Sequence, residues 1–254
     1  MPAIAAIGYF KDNINYSNFM RAFTVLTYKI LSMETVFSFL RALARSNNRE
    51  WFADHKKDYQ DALEKFRGVA EEILAGISQF DPSLAGIEAK DAIFRIYKDI
   101  RFSKDKTPYK THFGCWMTRG GRKSSFAGYY FHLEPDNSFM AAGIHSPPRE
   151  LLNLIRQEIV FNPEAYLKVI NDPLLQERYE RGGRDDMLKK GPAGFPNDFE
   201  HMEELRYKHY IYARSYPDAK VYEKGFVREL VKDFRGLFPL VAYMNHAISF
   251  TGNE

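Results

Sequence analysis

A chain of 254 residues with 45% hydrophobic and 27% charged side chains is long enough to bury a full core, and its composition excludes a disordered, collagenous or coiled-coil protein. Its one cysteine, Cys115, excludes an internal disulfide and a zinc site built from several thiolates, so a reducing compartment fits and a cytoplasmic location is expected. The formal charge is only +3 and the pI is near 8.7, below the strongly basic values of nucleic-acid-binding domains, yet the stretch from Arg95 to Lys123 alone carries +7.

No apolar run approaches the ~20 residues that cross a bilayer, and Met1 to Gly8 lacks the cationic start of a secretory signal. The first 32 residues mix aromatics with Asn, Ser and Lys, whereas Met33 stands directly before a helical pattern. Residues 1–32 are therefore expected to be an extension, and residues 33–250 a single domain. Val36, Phe37, Phe39, Leu40 and Leu43 follow helical spacing, and Asn47 precedes Glu50 by the three residues of a capping box. Trp51, Phe52, Tyr59, Leu63, Phe66, Ala70, Ile73 and Ile77 extend the helical pattern to the Asp81-Pro82 turn, as one long helix or two in line.

The period then changes to two. Phe94, Ile96, Ile100 and Phe102 alternate with Arg95, Tyr97, Asp99 and Arg101, which predicts a half-buried strand broken at Lys98. Phe113–Thr118, Phe126–Glu134 and Ser138–His145 read as an antiparallel meander. Helices are expected after Pro147-Pro148 and from Pro163, a surface loop from Gly182 to Asn197, and a short helix near His201 to Arg206. A strand over Tyr210 to Arg214 follows, then two helices interrupted near Phe238-Pro239. The fold class this predicts is α+β, an antiparallel sheet of about four to five strands flanked by helices at the N- and C-terminal ends.

The densest polar constellation runs from Arg95 to His112. Strand alternation would put Arg95, Asp99 and Arg101 on one face, the carboxylate holding both guanidinium groups while their outer donors stay free for a carboxylate or phosphate. Lys106 and Tyr109 follow in a loop that Pro108 would aim back towards the same place. The expected ligand-binding set is thus Arg95, Asp99, Arg101, Lys106 and Tyr109, and the expected partner an anionic small molecule. Were there catalysis, Asp99 or Tyr109 would transfer the proton. The alternatives are a nucleic-acid-binding module, disfavoured by the modest pI, and a noncatalytic domain that meets an acidic partner protein; a purely structural Arg-Asp-Arg network is the plainest reading.

Other features point less clearly to a ligand. Arg119-Gly120-Gly121-Arg122 reads as a hairpin tip, because the spacing is not that of a phosphate loop. Seven histidines include no His-x-x-x-His or His-Glu-x-x-His pattern, and His132 with Glu134 is a same-face strand pair, so no metal and no cofactor are expected. Cys115, three residues from His112, reads as a buried structural thiol.

Arg95, Asp99, Arg101, Phe102, Asp105, Lys106 and Tyr109 fit the pattern R-x-x-R-D-x-R-F followed by a D/N-K pair and a tyrosine. The segment resembles the signature of domain-of-unknown-function family 2461, mainly bacterial conserved hypothetical proteins. Lys98 stands where that pattern has arginine, which keeps the charge and loses the guanidinium fork. Asn48-Arg49-Glu50-Trp51-Phe52 resembles the family's opening, and the likeness covers about residues 34 to 249. It implies no reaction, substrate or cofactor.

Overall fold

A computed structural model describes residues 33–249; the expected extension at 1–32 and the last residue of the expected domain lie outside them. Helix α1 covers residues 33–45 and buries Val36, Phe37, Leu40 and Leu43 completely, one stripe at helical spacing. Helix α2, Arg49–Asp54, is capped by Asn48, whose carboxamide accepts from the Trp51 N–H at 2.8 Å. The expected capping box on Asn47 is corrected by one residue. Asn48 has the extended backbone that sets a side chain over the first turn, while the Asn47 carboxamide is held by the backbone of Tyr109. Helix α3, Lys56–Ile77, follows in line after His55 and buries Ala62, Phe66, Val69, Ala70, Ile73 and Ile77. A 3-10 turn over Pro82–Leu84, capped by Asp81, and the short helix α4, Ala89–Ala92, lead to the sheet.

Strands β1 (Phe113–Thr118), β2 (Gly128–Leu133), β3 (Ser138–Ile144), β4 (Glu180–Arg181) and β5 (Tyr210–Tyr216) form one antiparallel sheet in the order β1-β2-β3-β5-β4. Register places Cys115 opposite Phe131 and Phe131 opposite Met140, all three buried. Phe113 and Phe131 both stack on Phe66 of α3, with centroids 5.3 and 6.2 Å away, and Tyr129 meets Phe234 edge-on at 5.5 Å. Period-two alternation thus turns one face of the sheet to the helices and the other, bearing Trp116, Tyr130, His132 and Phe139, away from them. Gly143 of β3, paired with Ile211 of β5, has φ 123°, and any Cβ there would overlap the Tyr210 carbonyl oxygen.

The helical layer is completed by α5 (Arg149–Phe161), α6 (Pro163–Ile170), α7 (Pro173–Arg178), α8 (Met202–Arg206), α9 (Asp218–Val221) and α10 (Phe226–Ser249), the last packing on β3, α3 and α5. Here the expected break at Phe238-Pro239 is corrected: α10 runs through Pro239 as one helix. A proline inside a helix costs about 3 kcal/mol. Leu237, Leu240 and Val241 are buried on both sides of it, and one such side chain is worth roughly 1.5–3 kcal/mol, so the packed stripe outweighs the missing hydrogen bond. The fully buried Asp233 ties α10 to β5, accepting from the Arg214 guanidinium at 2.7 Å on both oxygens and from the Tyr216 hydroxyl at 2.6 Å.

The expected strand over 94–102 is corrected as well. That segment makes isolated bridges, Ile93 to Cys115 and Tyr97 to Tyr109, with single backbone bonds from Phe94 to Gly114 and between Ile96 and Lys110. It meets the outer edge of β1 at Phe94, pairs with residues 108–110 as far as Lys98 and then peels away, because Asp99 and Asp105 accept from the backbone N–H two residues on and close local turns instead of a ladder. Phe102, expected on an apolar strand face, is 96% exposed. Among the described residues no helix is long and apolar enough to cross a membrane.

Candidate functional site

Each residue of the expected ligand-binding set has a definite place. Asp99 and Arg101 pair with each other, Nε to Oδ1 at 2.9 Å and Nη2 to Oδ2 at 2.6 Å, on side chains 49% and 76% exposed. The Arg101 fork holds the Asp99 carboxyl below the usual carboxylate range, and the charge of Arg95 adds a smaller pull. Lys106 donates to the Ile100 carbonyl at 3.0 Å, and Lys98 bridges Asp105 and Thr107, both at 2.7 Å. Tyr109 is buried and stacks on Phe52 with centroids 3.9 Å apart, while Asn47 clasps its backbone on both sides. The structure therefore brings Asp99 and Arg101 together. No hydrogen bond or ion pair among the described residues links Lys106 or Tyr109 to them, and of the five only Lys106 lines the shallow depression of about 540 Å³ beside α2.

The larger concavity lies on the open face of the sheet. It has a volume of about 760 Å³ and is walled by Trp116, Tyr130 and Phe139 from the sheet, Phe126 from the β1–β2 hairpin, and Phe94 from the edge segment. Lys110 and Arg122 approach the same Phe94 ring, the ammonium 5.4 Å and the guanidinium carbon 5.2 Å from its centroid. Backbone carbonyls aim both groups: Lys110 Nζ donates to Arg95 O at 3.0 Å, and Arg122 Nη1 donates to Ile93 O. An ammonium has three donors and a guanidinium five, so each keeps donors unused. Burial, then the charge of Arg95, then that of Arg122 push the Lys110 pKa down. No carboxylate lies within ion-pairing distance of Arg95, Lys110 or Arg122 among the described residues.

A second group of polar residues lies beside His112, which also lines the cleft. Alternation along β2 sets Tyr130, His132 and, just past its end, Glu134 on the open face. Tyr130 Oη meets His132 Nδ1 at 2.9 Å, and His132 Nε2 meets Glu134 Oε2 at 3.1 Å. Thr111 donates to Glu134 Oε1 at 2.6 Å and Asn137 to Oε2 at 2.8 Å. The Tyr130 hydroxyl fits only because residue 114 is glycine, where a Cβ would stand 2.7 Å from it. The His112 ring centroid is 4.1 Å from that of His132. Burial, then His132, push the His112 pKa down to about 4; burial also lowers that of His132 against the opposing pull of Glu134. Burial would raise the Glu134 pKa, but the hydrogen bonds from Thr111, Asn137 and His132 prevail and lower it.

Sequence reading missed this cleft. Phe94, Lys110 and Arg122 are distant in the chain and meet only through the edge segment and the hairpin. The signal within reach was the aromatic alternation of β2, which marks a second apolar face; nothing in the spacing says which cations would border it. Likewise, His112 joins His132 and Glu134 through β1–β2 pairing, where Phe113 lies opposite Leu133.

A family model described as "Conserved hypothetical protein (DUF2461)" matches residues 35–243. No curated protein and no solved structure matches the chain.

Proposed function

The chain belongs to the DUF2461 family of conserved hypothetical proteins, and for this member we propose a binding function: the cleft on the open sheet face takes an anionic small molecule bearing a phosphate or carboxylate. Lys110 and Arg122 hold the anionic group, with Arg95 close by, while Trp116, Phe126 and Phe139 receive the apolar or planar body. The observation that carries this reading is the placement of two cations on one ring, Phe94, at a cleft of about 760 Å³ with no carboxylate near enough to pair with them among the described residues. That volume falls within the range of small-molecule sites, roughly 300–1,000 Å³. Of the set expected from sequence, Arg95 stands nearest to this site: its side chain does not line the cleft, but its carbonyl holds Lys110 and its charge acts on that ammonium. Asp99, Arg101, Lys106 and Tyr109 are assigned to shaping and anchoring the segment that walls it.

Concavity supports a small ligand over a nucleic acid, as does the pairing of Lys98 and Arg101 with carboxylates of their own loop. The single buried free cysteine supports a cytoplasmic setting. A thermal-shift screen of phosphorylated and carboxylated metabolites tests the proposal. A ligand at 100 times its Kd adds about 2.7 kcal/mol to stability, and that gain should vanish in Lys110→Ala and Arg122→Ala. Equal stabilisation of parent and variants would overturn it, as would salt-sensitive binding of random RNA in place of any small-molecule hit.

A further inference from the structure

We propose that His112, His132 and Glu134 form a site for one divalent transition-metal ion, zinc or a chemically similar ion, beside the cleft on the open sheet face. One ligand atom from each of the three residues lies within 4.8 Å of the other two. Two imidazoles and one carboxylate form a ligand set suited to zinc and to non-haem iron(II). Around an ion bonded at about 2.0–2.2 Å such atoms stand roughly 3.3 Å apart; His132 Nε2 and Glu134 Oε2 already stand 3.1 Å apart, so the closing movement, up to about 1.5 Å, falls to His112.

The two strands present these groups from fixed backbone. His132 and Glu134 alternate onto the open face of β2, and the pairing of Phe113 with Leu133 brings the preceding residue, His112, alongside. The partners behind the ligands are of the kind that orient them. Tyr130 Oη sits on His132 Nδ1, which leaves Nε2, the atom facing Glu134, to ligate. Thr111 and Asn137 fix both carboxylate oxygens. His112 has no hydrogen-bond partner among the described residues, so its lone pair is uncommitted. The neighbouring ammonium groups are engaged elsewhere, Lys98 with Asp105 and Thr107 and Lys110 with the Arg95 carbonyl. Three protein ligands leave a coordination position open, as in catalytic rather than structural zinc sites, and His112 borders the cleft from which that position would be reached. This inference does not depend on the anion reading, which uses other side chains.

The test is direct. The full chain, stripped with a chelator, is titrated with cobalt(II) under visible absorption and with zinc(II) in a calorimeter. One equivalent of cobalt should bind with ligand-field bands and be displaced by zinc. Glu134→Gln and His112→Gln should each weaken binding by more than the roughly 10- to 100-fold that a change behind the ligands costs. His112→Gln should melt like the metal-free parent because it gives up no hydrogen bond, so it decides the matter even if Glu134→Gln fails to fold. Absence of cobalt bands in the parent, or stoichiometric binding retained in His112→Gln, would overturn the proposal and leave a hydrogen-bonded His132–Glu134 pair of structural character.

Discussion

Lys110 and Arg122 are held on one aromatic ring by carbonyls of the segment they cover, and their mutual repulsion is offset by the ring but by no carboxylate among the described residues. On the function proposed above, an anion bound there would remove that repulsion and meet donors already in place, which is preorganisation in its simplest form. Asp99 and Arg101 show the contrary case. Their fork-to-carboxylate pair faces water, and each charge is already met by the other. Cys115 gives a sharp prediction at this scale. Burial pushes its thiol up to about 12, so at pH 8 it should resist a thiol-specific reagent in the folded chain and react fully once denatured. Rapid modification of the folded chain would contradict its placement on the helix-facing side of β1.

At the scale of elements, hydrophobic period was a sufficient guide wherever a stripe or face is buried. The meander of β1 to β3 and the paired helices α2 and α3 were legible from Phe66, Phe113 and Phe131, whose burial on the shared core face enforces period and register together. It failed where local polar chemistry won. The alternation from Phe94 to Phe102 predicted a strand, but Asp99 and Asp105 turn the backbone and leave Phe102 in water. At Pro239 the opposite holds: the local breaker misled, and the buried stripe around it kept the helix whole. The join between α10 and β5 can be measured. Arg214→Ala leaves the buried Asp233 carboxylate with Tyr216 and a guanidinium of Arg178 at 3.8 Å, and should cost about 3 kcal/mol in urea denaturation, the low end for breaking a buried pair because Arg214 is partly exposed. A loss below about 1 kcal/mol would mean that the pair behaves as a surface one.

For the whole molecule, helices cover one sheet face and leave the other as a half-open wall, and both candidate sites lie there. That division follows from β2, where Tyr129, Phe131 and Leu133 pack inward while Tyr130 and His132 point outward. The α+β class was readable from the order of elements, whereas the cleft was not, because it is assembled by an edge segment and a hairpin that only the fold brings together. The central claim, that this cleft takes an anion between Lys110 and Arg122, is tested most directly by nuclear magnetic resonance. The strongest thermal-shift hit is titrated into labelled protein while the Trp116 indole and the Lys110 and Arg122 side chains are followed. The account predicts saturable shifts at those three groups, with the Asp99 and Arg101 signals unmoved. Shifts centred on Asp99 and Arg101, with Trp116 silent, would contradict it.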